Sequence, residues 1–541
     1  MKHTMMDTPL TVPPLLERAG RLFPGVEIVS RMADRSLHRT TYGDVERRAR
    51  ALARALVGLG HRRGDRVATL MWNHHAHLEA YFGVPMAGGV LHTLNLRLNP
   101  DDIAYIVGHA GDRFLIVDDV LLPLLAKFRD RVALDLVIVV SIGSEPVPAG
   151  DLRYEDVLAG ADGTRPLPDL GENDPAAMCY TSGTTGRPKG VVYSHRAIVL
   201  HSMTGAMTNV CGLGHRDTVM PVVPMFHVNA WGLPFTSTLA GAKLVLPGPF
   251  LDAESLLDLM TREQVTFTAG VPTIWLGVVN KYKEAPSRWP LAPGIRIVSG
   301  GAAAPESLWR DIEAMGARGI HGWGMTETTP VGSITLVKRH MEDADHPCDA
   351  RYALLCKQGF PLPFVETRIV NDQGVAPWDG ASTGELQLRG PWVAAAYHGG
   401  EEPEKWTEDG WFATGDIATI DSEGYIALTD RAKDLIKSGG EWISSQALEG
   451  ALMDHPSVKE AAVIAVPHPK WLERPLAAVV LREGKSAAPD ELTAHLAGRF
   501  AKWWLPDAYV FIDEIPRTST GKFLKTALRE RYRAWNWPST G

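Results

Sequence analysis

The run Tyr180-Thr181-Ser182-Gly183-Thr184-Thr185-Gly186-Arg187-Pro188-Lys189-Gly190 packs four aliphatic hydroxyls, three glycines and two cations into eleven positions. Glycine lets a backbone bend until its N–H groups converge on an anion. The hydroxyls and Lys189 add direct donors. The run follows Ala176-Ala177-Met178-Cys179, which reads as a short buried strand, and precedes Val191-Val192-Tyr193. That is the composition of a phosphate-cradling loop. It is not a Walker A loop, because Lys189 follows Pro188 and is followed by Gly190, not by Ser or Thr. A lone glycine-rich run is more often a surface turn; the density of donors here favours phosphate.

The elements that must position such a loop alternate along the chain. Residues 42–59 read as an amphipathic helix, with Val45, Leu52, Leu56 and Leu59 on one face and Arg47, Arg48, Arg50 and Arg54 largely opposite. Gly60 fits its stop. Residues 67–72 read as a buried strand and 75–87 as the helix after it. Further strands at 137–140, 243–246 and 295–298 continue an alternation that implies parallel α/β layers. Between 365 and 388 the texture changes to short β segments at 367–370 and 385–388, which suggests a smaller β-rich subdomain. A tail of about 110 residues follows, within the usual size of a domain. Strands at 458–466 and 476–481 and a helix at 490–500 are expected there.

A chain of 541 residues is too long for one ordinary core. Its 45% hydrophobic and 22% charged residues are those of a soluble globular protein. A net charge of −8 argues against a nucleic-acid binder that works by neutralising phosphates, but local cations can hold a small phosphate ligand. The four cysteines, Cys179, Cys211, Cys348 and Cys356, form no CxxC pair and suit a reducing compartment. Residues 1–14 show no basic region followed by a long apolar run, and no stretch is apolar enough to span a bilayer, so a cytoplasmic location is expected. His74, His75 and His77 invite a metal reading. On a helix His75 points away from the other two, and only Glu79 adds an acid, so a solvated or interface face is the better reading.

Six further motifs recur in order: Pro224-Met225-Phe226-His227, Gly300-Gly301-Ala302-Ala303, Gly322-Trp323-Gly324-Met325-Thr326-Glu327, Trp411-Phe412-Ala413-Thr414-Gly415-Asp416, Asp430-Arg431-Ala432-Lys433-Asp434 and Thr520-Gly521-Lys522. With the loop, they resemble the adenylate-forming superfamily over nearly the whole chain. Residues 224–234 and Lys502-Trp503-Trp504-Leu505-Pro506 look most like its medium- and long-chain fatty acyl-CoA synthetase branch, which includes ligases for short sulfur-containing acids. The resemblance implies an α/β fold: a large N-terminal domain of layered α/β subdomains plus a β-rich subdomain (1–430), and a small mobile α+β C-terminal lid (431–541).

It also implies roles. Thr181, Ser182, Gly183, Thr184, Thr185, Gly186 and Lys189 would wrap the β- and γ-phosphates of ATP. Glu327 would hold Mg²⁺, with Thr181 near the metal, and Thr326 would contact the α-phosphate. Asp416 would accept both ribose hydroxyls, with Arg431 reaching the same ribose. Gly300 and Gly301 would leave room for adenine, with His321 and Gly322 beside it. Trp323 would stack on the base where most relatives carry Tyr; it keeps the stacking face and loses the hydroxyl. Lys522 would bridge carboxylate and α-phosphate during adenylation. His227 would shape the acyl–adenylate junction, and Trp231 would gate the acyl channel. Val228, Ala230, Trp231, Val271, Thr273, Ile274 and Gly324 are the acyl-pocket candidates. Lys433 would be the hinge about which the lid turns, bringing Gly439, Gly440 and Trp442 to a pantetheine tunnel. Lys437 is a further nucleotide contact. A homodimer is implied by the branch.

The expected activity is an ATP-dependent acid:CoA ligase acting on medium- or long-chain fatty acids. Alternatives are a ligase for a short thioether acid such as 3-methylthiopropionate, and a stand-alone adenylation domain loading a carrier protein. The intact Lys522, Glu327, Asp416 and Arg431 argue against a non-catalytic binder.

Overall fold

A computed structural model describes residues 3–181, 187–341, 348–431, 434, 436–438, 441–468, 470–518, 522–533 and 535–537. Two large sheets carry the N-terminal part, and strand alternation with helices makes them mainly parallel. One runs, edge to edge, Phe360–Pro361, Val331–Thr335, Arg318–Gly324, Arg296–Gly300, Phe267–Gly270, Thr218–Pro221, Lys243–Leu246, Glu27–Arg31 and Leu37–Thr41. Its centre is parallel, and antiparallel strands close both edges. The other runs Leu152–Arg153, Leu136–Val140, Asp112–Asp118, Arg66–Leu70, Val90–Thr93, Pro175–Tyr180 and Gly190–Ser194. Only its last pair is antiparallel, and that hairpin carries the glycine-rich loop.

The helix Tyr42–Gly58 is started by Thr41, whose hydroxyl accepts from the Asp44 N–H. It ends one residue short of the expected limit, and Leu59 is exposed because it has already left the apolar stripe. Arg48 also departs from the expected solvent face. It turns inward to the buried carboxylate of Glu79 at 2.7 Å, which Tyr154 caps at 2.8 Å. Glu79 belongs to the helix His75–Met86, which is buried all round, so each polar group on it needs a partner. His77 donates Nδ1–H to the Trp72 carbonyl and takes the Thr69 hydroxyl on Nε2, and His74 meets Asp118 at 2.8 Å. The expected solvated or interface face is therefore buried core: protein partners hold His74 and His77, and His75 stacks on His38 with ring centres 4.1 Å apart.

A five-stranded antiparallel sheet follows, ordered Gly374–Val375, Glu366–Asn371, Gly384–Arg389, Phe412–Ile420 and Ile426–Arg431. The β-rich texture of the sequence is this sheet. The C-terminal part pairs Val458–His468 with Leu472–Leu481, the latter starting earlier than its apolar core because the long partner strand extends it. The helix there is Pro489–Ala497, shorter than expected. Among the described residues no helix is long and apolar enough to cross a membrane.

The central strands of the nine-stranded sheet converge on backbone so closely that Gly300 has no room for a side chain. A Cβ there would lie 2.4 Å from the Gly322 carbonyl oxygen. Gly300→Ala is accordingly expected to lower stability by about 1–3 kcal/mol through overpacking, read as a fall in the urea midpoint. An unchanged midpoint would show that the strands separate freely.

Candidate active site

A cavity of about 340 Å³ opens at the C-terminal ends of the central parallel strands, where α/β sheets characteristically place ligands. Gly301, Gly322, Trp323 and Gly324 reach it from the sheet, Thr326 and Glu327 from the turn Thr326–Thr328, and Asp416 from the five-stranded sheet. Thr181 and Lys189 reach it from the loop stems, His227, Val228 and Trp231 from a short turn, and Lys522 from the C-terminal part. Residues far apart in sequence and chosen for their chemistry thus share one chamber.

The loop stems are pinned together. The Thr181 N–H donates to the Lys189 carbonyl at 2.9 Å, and the Lys189 N–H donates to the Thr181 hydroxyl at 3.0 Å. Ser182, Gly183, Thr184, Thr185 and Gly186 lie outside the described residues. The Lys189 ammonium pairs with Glu402 at 2.6 Å and sits 5.7 Å from the Tyr397 ring centre. Tyr397 in turn donates its hydroxyl to the buried Glu327 carboxylate at 2.5 Å. Burial first, and the Glu327 charge second, push the Tyr397 phenol well up, so it stays a donor.

Trp323 donates its indole N–H to Asp416 at 3.3 Å. The indole therefore brings a hydrogen bond of its own, aimed at the carboxylate that faces the cavity. A Cβ on Gly332 would come within 2.9 Å of the Trp323 ring, so that glycine fixes where the indole lies. The Asp416 N–H also donates to the Thr414 hydroxyl at 3.0 Å. Arg431 stands opposite Asp416 on the next strand. The ammonium of Lys405 approaches from the other side, 3.4 Å from where a Gly415 Cβ would be.

His227 opens a turn of unusual hand. Val228, Asn229, Ala230 and Trp231 have φ of 42°, 52°, 48° and 57°, and Gly232 follows at 75°. Each non-glycine residue in that region costs roughly 1–2 kcal/mol. The turn is held by the Cys179 thiol, which donates to Asn229 Oδ1 at 3.5 Å, and by the Gly232 N–H, which donates to the Asn229 carbonyl at 2.9 Å. Its product is the placement of Trp231, whose ring lies against Gly300 and Gly301: Cβ atoms there would be 3.3 Å and 3.8 Å away. Lys522 Cε lies 3.6 Å from the same point on Gly301. Burial, with Lys522 and Arg97 adding repulsion, pushes His227 down to about 3. A neutral imidazole there fits a shaping group and not a proton carrier.

Beyond Trp231 the chamber turns apolar, lined by Cys211, Leu233, Phe267, Ala269, Val298 and Ile334. Of the acyl-pocket candidates, Val228, Trp231 and Gly324 line the wall. Ala230 is buried beside it, Ile274 packs into the helical core on the far side, Val271 reaches Gly301 with its Cγ1 3.5 Å from where a Cβ there would lie, and Thr273 does not line the wall. Three nucleotide candidates do not line the chamber themselves. Gly300 is small because Gly322 crowds it. His321 turns to the other face of its strand, donating Nδ1–H to the Leu355 carbonyl at 2.9 Å. Lys437 is exposed on Ile436–Ser438, away from the chamber. Lys433, Gly439 and Gly440 lie outside the described residues, and Arg431 and Trp442 are described through their backbone alone. Tyr397, Glu402, Lys405 and the Cys211–Phe267 end escaped the sequence reading. The alternation of Phe267 with Ala269, and of Arg296 with Val298, on one face of adjacent strands could have found that end.

Fold and chamber together are those of an adenylate-forming enzyme. The family model for the AMP-binding enzyme matches residues 16–398, and that for the AMP-binding enzyme C-terminal domain matches residues 447–522. The chain belongs to this family. It is 53% identical to the long-chain-fatty-acid–CoA ligase of Thermus thermophilus over 98% of its own length and 97% of that protein. It is 44% identical to the medium-chain-fatty-acid–CoA ligase of Ectopseudomonas oleovorans over 98% of each chain. Its structure resembles that of the anthranilate CoA ligase AuaEII bound to anthranoyl-AMP, with a TM-score of 0.86 at 26% identity over 99% of both chains.

Buried neutral histidines give this fold a pH dependence. Burial holds His201 and His321 at about 4 and His227 at about 3. In the unfolded chain each titrates near 6.5, so below that pH the unfolded state binds protons that the folded state refuses. Stability therefore falls as pH drops from about 6.5 towards the folded values, by up to about 1.4 kcal/mol per histidine per pH unit. Urea midpoints measured from pH 7 to pH 5 are expected to decline; a level series would show these rings to be solvated.

Proposed function

We propose that this chain is an AMP-forming acid:CoA ligase. It uses ATP to convert an apolar monocarboxylic acid of medium or long chain first into an acyl-adenylate and then into a CoA thioester. The observation that carries the reading is the single chamber in which Lys522, Glu327 and Asp416 face one another at the mouth of an apolar recess. A carboxylate is a poor acyl donor because its leaving group would be oxide. Attack of the carboxylate oxygen on the α-phosphorus expels pyrophosphate and makes a bond that a thiol can later break, with AMP leaving. Catalysis of that displacement rests on positioning and on stabilising charge as it builds.

The chain's groups divide that work. Lys522 bridges the acid's carboxylate and the α-phosphate. Thr181, Lys189 and the loop between them hold the outgoing pyrophosphate, and Thr326 contacts the α-phosphate. Asp416, oriented by Trp323, takes the ribose hydroxyls, with Arg431 on the neighbouring strand. His227, uncharged, packs the junction where the acyl group meets phosphate. Glu327 suits Mg²⁺: a carboxylate near a phosphate loop is the hard-oxygen donor such an ion combines with phosphate and water. The bound ion supplies neutralisation of the triphosphate charge, and Tyr397 steadies the carboxylate that holds it.

The second half-reaction needs Lys522 out and a thiol in. We assign residues 1–430 to the nucleotide- and acyl-binding domain and 431–541 to a lid that turns about Lys433, carrying Gly439, Gly440 and Trp442 to the pantetheine path. The separate matches to an N-terminal and a C-terminal family domain support this division. A homodimeric, cytoplasmic enzyme completes the reading, and free Cys179, Cys211 and Cys356 are compatible with a reducing compartment.

Two variants test the assignment. Lys522→Ala is expected to slow acyl-AMP formation by about 10²–10³, the usual loss for one transition-state donor, while pre-made acyl-AMP plus CoA still yields thioester. Normal adenylation would remove Lys522 from the mechanism. Trp323→Phe keeps the flat ring and loses the hydrogen bond to Asp416. It is expected to raise the KM for ATP by roughly 2- to 13-fold, the equivalent of about 0.5–1.5 kcal/mol, with the acid KM unchanged. Equal rises for both substrates would make Trp323 a packing residue only.

A further inference from the structure

The apolar recess has a measurable length and a built end. It follows one face of the nine-stranded sheet from the catalytic ends of the strands towards their starts. Gly322, Val298 and Ala269 form its floor, small because a chain must lie on them: a Cβ on Gly322 would already touch Val298 at 3.6 Å. Phe267, the first residue of its strand, closes the far end. It stands directly opposite Arg296, the first residue of the neighbouring strand. The Arg296 guanidinium lies 5.2 Å from the Phe267 ring centre.

That guanidinium is fixed on every side. It donates to the carbonyls of Cys211 at 2.6 Å and Gly212 at 3.0 Å, and it pairs with Asp217. Asp217 is held in turn by the Thr266 hydroxyl at 2.8 Å. Arg296 and Asp217 are partly exposed, at 21% and 15%, so this clamp is the wall between the recess and solvent. Cys211 lines the same end, and burial pushes its thiol up to about 12, which leaves it a neutral, apolar lining group.

We infer that Phe267, clamped by Arg296 and Asp217, is the stop that sets acyl-chain length, and that the recess takes saturated acids of about ten carbons. This rests on the ligase reading above. The span from Gly300 to Arg296 is four residue steps, or about 13 Å at the rise of a parallel strand. An extended chain advances about 1.2 Å per bond, the value implied by roughly 3.5 Å for the three backbone bonds of a residue. The radius of the terminal methyl, half the contact distance between two carbons, takes about 2 Å of that span; the remaining length of about 11 Å holds about nine bonds, those of a ten-carbon acid, and a longer chain must displace Phe267 from under the guanidinium.

The test is a series of straight-chain acids from four to eighteen carbons, read as kcat/KM for AMP release with ATP and CoA. In the wild type the value is expected to rise about fourfold per methylene, the equivalent of about 0.8 kcal/mol per buried CH₂, up to about ten carbons and to fall beyond. Phe267→Ala is expected to raise dodecanoate and tetradecanoate against decanoate, by about fourfold per added methylene. Ala269→Leu, which fills the floor midway, is expected to move the optimum below eight carbons while retaining activity on hexanoate; this serves if the first variant fails to fold. A wild type equally efficient on hexadecanoate and decanoate overturns the inference, as does a folded Phe267→Ala or Ala269→Leu with an unshifted profile. Failure of every acid to release AMP would instead overturn the ligase reading itself.

Discussion

The arrangement depends on a steric constraint where the central strands end. Gly300 lies against the Gly322 carbonyl, and a Cβ on Gly324 would fall 1.8 Å from the Pro330 carbonyl oxygen. Backbone packed on backbone leaves a flat shelf at the head of a sheet. Into the space above it come groups from four separate places: Trp231, Lys522, Glu327 and Asp416. Side chains on the shelf would push these apart and end the convergence. The small residues are thus required twice, once by strand packing and once by what must stand on them.

The left-handed turn at Val228 to Trp231 is the second unusual feature, and it serves the same shelf. Its backbone strain, about 1–2 kcal/mol for each residue, persists because the surroundings over-determine it. Asn229 is tied to Cys179, and Gly232 fits against His201, whose ring would lie 2.8 Å from any Cβ there. Strained backbone held in this way is characteristic of functional sites. Here it drops an indole onto the glycines, between the polar and apolar halves of the chamber.

The sequence made the layered α/β plan legible because its strands are short apolar runs between amphipathic helices, a pattern that survives without any neighbour. The residues in the ordered motifs were legible for the same reason: Thr181, Glu327, Asp416 and Lys522 carry their chemistry in their type and local setting. What escaped depended on contacts across the fold. Nothing near Tyr397 or Glu402 in sequence announces Glu327 or Lys189 as a partner. His321 lies next to Gly322 in sequence but on the opposite face of the strand, because successive side chains alternate. The length of the apolar recess could not be read at all, since it is set by Phe267 and Arg296 coming into register from strands separated by a helix.

The polar half of the chamber holds its charges and dipoles in committed pairs: Lys189 with Glu402, Glu327 with Tyr397, and Asp416 with Trp323. A buried charge without a partner is costly enough that the group neutralises or moves. In two of these pairs the named partner is neutral: a phenol and an indole each donate a hydrogen bond that orients the carboxylate without cancelling its charge. The carboxylates are therefore oriented while still able to act on a cation or on hydroxyl donors. The Lys189–Glu402 pair differs, because opposite charges cancel, and any anion that recruits Lys189 must compete with Glu402. The chamber is thus preorganised unequally: its acids are held in place by neutral donors, whereas its loop lysine is held by a carboxylate that a more highly charged oxyanion can outbid.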